Sequence, residues 1–359
     1  MKTNLREIFE NSKMSGHALF SRAAAENRLV FGKNMRDCTT FRAGGPADVF
    51  VMPRTEAELA DFAAVFLSLD IPVFVLGGGS NVLFPDEGFP GAVLSTVLLD
   101  AAVPERTEDG RIFLRCACGC PMDKAVETAV VAGFAGLERF AGLPGTAGGA
   151  AFMNARCYER SVSDIFFCAD VLHVSPGGGV CAGGAESPGN TESRTEKIFF
   201  TDGEWAYKKS PFHTPPDGTC GGRVFGRFSP GSPSLSVLCA VVFALQAGVR
   251  SELEAVARQC RQDREKKGHF RLPSAGSVFK NNRAFGKPSG VLIDEAGLRG
   301  LTRGGAMVAP WHGNIIVNTG NATAADIRGL MEEVAETVLR RTGFRLEPEI
   351  IFAGGEGGV

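Results

Sequence analysis

Residues 274–282 read "SAGSVFKNN", which puts a hydroxyl, an ammonium and an amide (Ser277, Lys280, Asn281) within five positions. A serine on a small-residue turn can donate a proton or attack as a nucleophile, and a lysine beside asparagines can grip a phosphate or sugar. The bland reading is a capped polar turn, which asparagine pairs commonly make. Two glycine-rich stretches suggest a second kind of chemistry. "VFVLGGGSN" runs an apolar strand into Gly77, Gly78, Gly79, Ser80 and Asn81, where exposed N–H groups can nest an anion such as a pyrophosphate. "GLPGTAGGAAFMNA" sets Gly142, Gly145, Gly148 and Gly149 among small residues, offering backbone donors and a flat surface for a planar ring. Neither is a dinucleotide fingerprint or a P-loop: "VLFPDEGF" follows the first, and no Lys-Ser or Lys-Thr closes it. Taken singly they read as a tight turn and as close backbone packing. Two of them a domain's length apart favour one large cofactor bridging both.

Cys116, Cys118 and Cys120 in "CACGC" would share one face of a strand. No second cysteine pair at zinc-finger spacing and no histidine cluster complete a tetrahedral site, so we read them as small buried thiols and expect no metal. His312 and Asn314 in "WHGNIIVN" are weaker candidates, because a lone histidine more often satisfies a local hydrogen bond.

The elements that must position these residues are legible in outline. At 359 residues, 44% hydrophobic and 22% charged, the chain suits a soluble protein of two or three domains. A net charge of −2 leaves no basic excess for a nucleic-acid backbone. No apolar run reaches ~18–20 residues, and "MKTNLREIFENSKMSG" lacks a signal peptide's apolar core. The expected compartment is the cytoplasm, with no membrane partner. After this polar arm, "TTFRAGGPADVFVMP" (39–53) reads as strand, turn, strand. Thr55 and Glu58 predict a capping box for a helix with Leu59, Phe62, Ala63, Phe66 and Leu69 on one stripe. A strand over 71–76 feeds the first glycine run. Residues 91–103 and 111–120 read as strands, and "PMDKAVETAVVAG" as a helix. "PGGGVCAGGAESPGNTESRTE" and 214–234 read as surface loops with little capacity for a core and no catalytic consequence. Beyond 250, "SELEAVARQCRQDREKKG", "GVLIDEAGL" and "TAADIRGLMEEVAETVLRRTG" predict helices, the last with Ile327, Leu330, Met331, Val334 and Val338 inward and Gly343 as its stop. "NIIVNTG" and "LEPEIIFAG" predict strands. The class is α+β without a strict βα repeat.

The ordered set "TTFRAGGPADVFVMP", "VLGGGSNVLF", "GLERFAGLPGTAGGAAFMNA", "SAGSVFKNN", "IDEAGLRGLTRGGAMVAPWHGNIIVNTGNATAADI" and "LEPEI" resembles the UDP-N-acetylenolpyruvoylglucosamine reductases, flavoenzymes that make UDP-N-acetylmuramate for bacterial peptidoglycan. The likeness covers residues 36–352 in the family's order and is closest to its compact subgroup. It implies an FAD-binding fold of the vanillyl-alcohol-oxidase (PCMH) type in two subdomains, 1–95 and 96–247, and a smaller α+β substrate domain, 248–359. FAD would lie along Gly77, Gly78, Gly79, Ser80, Asn81, Gly145, Thr146, Gly148, Gly149 and Ala150. NADPH would supply hydride to reduce a UDP-sugar enolpyruvate, and the protein would be a monomer with no nucleic-acid partner.

By the same resemblance Ser277 would protonate the carbanion left by hydride addition, assisted by Glu349 of "LEPEI" rather than Glu347. Tyr207, Lys280 and Asn281 would meet the substrate. The third catalytic position departs from the family's Tyr-Arg: Tyr207 is followed by Lys208. Lysine keeps the positive charge but not the planar bidentate grip of a guanidinium. Lys208, with Lys209 beside it, and Arg156 or Arg160 are the alternatives for that role. Another flavin oxidoreductase on the same scaffold, and a nucleotide-binding protein with a weakened site, are the competing readings.

Overall fold

The computed structural model describes residues 18–176, 191–213, 225–229 and 234–354. The described residues fall into two compact units: one holds those up to Gly32, Asp48–Gly78 and those between Pro90 and Cys260, the other Lys33–Ala47, Gly79–Phe89 and those from Arg261 onward. The polar amino-terminal arm lies outside the described residues.

The first unit carries two sheets. A five-stranded sheet runs in the order Leu29–Asn34, Pro46–Val51, Phe89–Ser95, Val73–Leu76, Arg227–Phe228. A six-stranded sheet runs Thr191–Phe199, Phe166–Pro176, Leu235–Ala247, Ile112–Ala117, Ala102–Arg106, with Phe134–Ala135 pairing Leu235–Ala247 off that path. Strand Leu235–Ala247 is a near-continuous apolar run and its first seven residues are buried, as expected of a central strand. The helix Glu56–Ser68 packs against Phe166–Pro176, burying Leu59, Phe62, Ala63 and Phe66. Leu69 leaves the predicted stripe: it is the C-cap and is exposed.

The start of that helix differs from the predicted capping box. Thr55 Oγ1 does accept the Glu58 N–H, but the Glu58 carboxylate reaches past Thr55 to the Arg54 N–H (2.8 Å). Its remaining capacity is taken by Arg28 and Arg22. Burial alone would raise the Glu58 carboxyl; the Arg54 N–H and the Arg28 guanidinium outweigh it and hold it below the usual range.

The second unit is a four-stranded sheet, Ser274–Ser277, Ile315–Asn318, Ala306–Val308, Thr302–Arg303, together with the helices Ser289–Glu295 and Ala324–Thr342. Thr323 and Asp326 form a full capping box on the long helix, and Gly343 ends it at φ +76°. All five residues of its predicted stripe are buried. Asp86 adds its carboxylate to the N–H groups of Ala324 and Ala325 (2.7 and 2.8 Å), as the helix dipole favours.

Several expectations need correction. Residues 39–45 are loop, not strand, and only Pro46–Val51 of that segment pairs. The carboxy-terminal strand shrinks to Ile351–Phe352, parallel to Val82–Leu83. Within the first supposed loop, Thr191–Glu196 belong to a hairpin arm pairing Phe166–Pro176; residues 177–190 lie outside the described set. Within the second, Arg227–Phe228 pair with Val73–Phe74, and Phe225 and Phe228 are buried in the core; residues 214–224 and 230–233 lie outside it. Among the described residues no helix is long and apolar enough to cross a membrane.

Glu58→Gln takes from the buried Arg28 one of its two carboxylate partners, leaving Glu26 at 2.7 Å, and should cost about 1–3 kcal/mol, read by denaturant melts. Because the folded carboxyl titrates below its unfolded value, its contribution is present above about pH 4.3 and fades as pH falls below that. The variant's stability should therefore converge on the wild type's in acid.

Candidate active site

In the first unit, strand Val73–Leu76 pairs in parallel with Ala92–Ser95 and stops where the glycines begin. The reason is steric. A Cβ on Gly77 would lie 2.6 Å from Thr146 Oγ1, and one on Gly78 would lie 2.8 Å from the Cα of Gly145. The two glycine-rich stretches therefore abut, backbone to backbone. Gly145 itself sits at φ +105°, open only to glycine.

The second stretch is held from below by "CACGC": Gly148 donates to the Cys118 carbonyl and Ala147 to that of Cys120 (2.9 and 2.8 Å). Gly148 is a packing glycine, since a Cβ there would meet Cys118 Cβ at 2.8 Å. Thr146 caps the short helix Ala147–Phe152 by accepting the Gly149 N–H. Gly148 and Ala150 are buried, whereas Gly77, Gly78, Gly145 and Gly149 keep part of their backbone accessible. This continuous glycine surface fits the backbone-donor lining that a bound pyrophosphate and ring system require. Beneath it, burial pushes the Cys118 thiol up to about 12, and the hydrogen bond between Cys116 and Cys120 raises Cys116, with burial, while lowering Cys120. Among the described residues no group of three His, Cys, Asp or Glu side chains is placed to hold a metal ion.

Tyr207 and Lys208 occupy the tip of a tight turn closed by reciprocal Ala206–Lys209 bonds (3.1 and 3.0 Å). Lys208 adopts φ +55°, and its Nζ stands 5.8 Å from the centre of the half-exposed Tyr207 ring. Two bonds pin this turn to the end of the glycine-rich helix. Asn154 Nδ2 donates to the Ala206 carbonyl (2.8 Å) and Ser210 Oγ to that of Phe152 (2.6 Å). Asn154 is buried, and its Oδ1 accepts the Ser163 N–H. Sequence reasoning did not single it out; its signal was its place directly after the glycine-rich helix. Arg156 and Arg160 are exposed on a small hairpin.

In the second unit, Ser277 ends the strand Ser274–Ser277 after a bulge, with Ser274 opposite Val317 and Ser277 opposite Ile315. Gly276 takes φ +70° there, and a Cβ would meet nothing within 4 Å. That left-handed φ at the bulge is the conformation glycine favours. The next residues are tied on both sides. Val278 donates to the Asn314 carbonyl (2.9 Å), and Val278 O accepts the Glu349 N–H (2.8 Å). Phe279 bridges Pro348, and Lys280 donates to Glu347 O (2.8 Å). "SAGSVFKNN" and "LEPEI" thus run antiparallel, with Glu349 bonded to the residue after Ser277.

Asn81 of the glycine loop serves the same assembly: its Nδ2 donates to Glu349 O (2.9 Å), and its carbonyl accepts the Ile351 N–H (3.0 Å). Gly79 takes φ +64°, and any Cβ on it would overlap Cys38 O. Ser80 is half-buried. Lys280 Nζ lies 3.5 Å from the exposed Glu347, while Glu349 is only partly exposed. Asn281 Oδ1 caps the Ser289 N–H (2.9 Å), so the capped-turn reading accounts for its oxygen. A cavity of about 220 Å³ opens at this point, lined by Ser277, Asn281, Gly290, Asp294, Arg299 and His312 among others.

Residues 267–353 match the family model of the UDP-N-acetylenolpyruvoylglucosamine reductase C-terminal domain, and residues 47–180 match that of an FAD binding domain. The chain is similar to the UDP-N-acetylenolpyruvoylglucosamine reductase of Treponema denticola, 40% identical over 92% of this chain and 94% of that one. The counterpart from Treponema pallidum is 39% identical over 95% and 97%. The crystal structure of the Thermus caldophilus reductase superposes with a TM-score of 0.63 at 29% identity, covering 90% of this chain and 97% of that one. The α+β class with an FAD-binding part is thereby shown, and FAD is the cofactor.

Gly78→Ala forces a methyl group onto the Gly145 backbone, and neither side can give. The purified variant should retain less than about a tenth of the wild-type flavin per chain by absorbance and melt earlier, by an overpacking cost of about 1–3 kcal/mol.

Proposed function

The chain belongs to the UDP-N-acetylenolpyruvoylglucosamine reductase family, and from that premise we propose that it reduces UDP-N-acetylglucosamine enolpyruvate to UDP-N-acetylmuramate at the expense of NADPH. One observation carries the assignment of residues: the serine motif and the "LEPEI" motif lie antiparallel, with the Glu349 N–H on Val278 O. Gly77, Gly78, Gly79, Ser80, Asn81, Gly145, Thr146, Gly148, Gly149 and Ala150 would hold FAD, through the exposed backbone of four glycines and the scaffold behind them. The chemistry that FAD supplies when bound is hydride transfer, taken from NADPH and given to the terminal enolpyruvyl carbon.

The protein's own residues handle the charge and the proton. Hydride addition pushes the double-bond electron pair onto the carbon beside the carboxylate, which becomes an enolate. Ser277 Oγ–H breaks, its proton forms the new C–H bond, and the serine oxygen later regains a proton from water. A serine is a weak acid in water, so the step relies on the enolate being a strong base and on a desolvated site. Glu349 assists from beside it. The Lys208 ammonium stabilises the negative charge on the substrate carboxylate as a point charge. Tyr207, Lys280 and Asn281 contact the substrate. The bond between Lys280 and the exposed Glu347 is a surface pair of small net worth, free to yield to a diphosphate. We assign the FAD subdomains to 1–95 and 96–247, the substrate domain to 248–359, and the compartment to the cytoplasm.

Ser277→Ala should let NADPH bleach the flavin at the wild-type rate while slowing its reoxidation by the enolpyruvyl substrate about 10²-fold or more. Unchanged reoxidation in stopped flow would remove Ser277 from the role. Lys208→Arg should be at least as active in steady-state assays; a large loss would mean that the pocket is built around lysine. A colourless protein that binds only the sugar nucleotide would refute the reductase reading altogether.

A further inference from the structure

His312 has no part in the chemistry assigned above, yet it lines the same cavity as Ser277. Its Nδ1 accepts the Asn314 N–H at 3.2 Å, so the neutral ring carries its proton on Nε2. The main chain around it is closed by His312 N–H to Ala309 O and Ile315 N–H to His312 O, both 3.2 Å. Helix Ser289–Glu295 leaves the ring little room: a Cβ on Gly290 would touch Asn314 Cβ at 3.3 Å and His312 Cε1 at 3.5 Å.

Asn314 is the residue that secures the chain after Ser277. Its carbonyl accepts the Val278 N–H (2.9 Å). Its buried side chain makes both main-chain bonds of Phe279, accepting from N–H at 3.0 Å and donating to the carbonyl at 2.8 Å. Val278 then accepts the Glu349 N–H. A hydrogen-bond relay therefore runs from the His312 ring, through Asn314, to the strand that presents Ser277 and to Glu349.

We propose that neutral His312 is a positioning residue for the protonation step, holding Ser277 in register through the Asn314 N–H and releasing it when Nδ1 takes up a proton. The inference rests on the reductase reading above. A protonated Nδ1 bears its own hydrogen and faces the Asn314 N–H donor to donor, so the bond is replaced by repulsion. The charged and titratable groups around the ring come from two sides. Arg299, beyond the helix Ser289–Glu295, is forked onto Asp294 at 2.6 and 2.7 Å. Lys267 and His269 follow the helix Arg250–Lys266, with the His269 ring 6.0 Å from that of His312. Burial, then Arg299, lowers His312 below the ordinary imidazole range, and burial lowers His269 to about 4. Both rings are thus neutral at pH 7, and the Asn314 bond is lost only on acidification below about pH 6.5.

The test uses FAD-loaded enzyme, reduced with NADPH and mixed with the enolpyruvyl substrate across about pH 5–8. Wild type should show a reoxidation rate that falls on the acid side. His312→Ala should slow reoxidation about 10-fold or more at neutral pH, the scale of a misplaced reacting group, with flavin reduction by NADPH unchanged. His312→Asn, whose Oδ1 can accept the same N–H without titrating, should recover most of that loss and flatten the acid limb. His312→Ala reoxidising as fast as wild type, or His312→Asn keeping the wild-type acid limb, overturns the inference while leaving the reductase reading intact. If His312→Ala does not fold, the acid limb of His312→Asn decides alone. Wild-type reduced enzyme that the substrate cannot reoxidise at any pH overturns both.

Discussion

No side chain fits between the backbones at Gly78 and Gly145, and much of the first unit is organised by that exclusion. Because the two glycine segments touch, the strand Val73–Leu76 must end at Leu76 and Thr146 must turn inward as a helix cap. The helix it starts is only six residues long, so its far end, at Phe152 and Asn154, sits close enough to grip the Tyr207–Lys208 turn through the Ala206 carbonyl and the Ser210 hydroxyl. One steric rule at the loop proposed for the cofactor thereby propagates to a charged side chain proposed for the substrate. Contacts between backbones transmit position well because neither partner can rotate away.

The second unit uses polar side chains where the first uses the absence of side chains. Asn314 completes both main-chain bonds of Phe279, Asn81 ties Glu349, and Asn281 caps Ser289. Asn314 and Asn81 stand in for strand partners where pairing has ended, and burial makes the Asn314 bonds costly to lose, whereas Asn281 serves the start of the helix Ser289–Glu295. The catalytic hydroxyl we assign sits just outside this lattice, on a bulge whose Gly276 alone tolerates the required φ. Rigidity is supplied by the neighbours of Ser277, not by Ser277 itself. That leaves Ser277 lining a cavity while the main chain directly after it is held on both sides.

Lys208 illustrates a different compromise. A non-glycine residue at φ +55° is uncommon, and here it places a flexible four-carbon stem at the tip of a two-residue turn. A point charge on such a stem can reach an anion from several rotamers, whereas a guanidinium depends on one orientation. The pinned turn beneath supplies the definition that the side chain lacks.

The amphipathic helix Ala324–Thr342, with its cap and its terminal glycine, could be read directly, because its stripe, its N-cap and its stop all lie within one local stretch of chain. The residue types for a serine, a lysine, a carboxylate and two glycine loops were equally visible, and their family order went with them. What failed locally failed for tertiary reasons. Residues 39–45 carry strand-like residues but find no strand to pair with, and Arg227–Phe228 look like loop until Val73–Phe74 offers an edge. Glu58 matches a capping box, yet buried Arg28 and the Arg54 N–H claim its carboxylate. The sequence alone determined which chemical groups the protein carries and where its strongly patterned helices lie, though not the short helices Ala18–Ala25 and Ala147–Phe152, since local pattern depends on residues near one another in the chain. Only the tertiary structure decided that Gly78 meets Gly145, that Glu349 bonds beside Ser277, and that Asn81, Asn281 and Asn314 serve the scaffold. Those pairings are set by backbone hydrogen bonds and excluded volume between segments far apart in the chain, which no local pattern encodes.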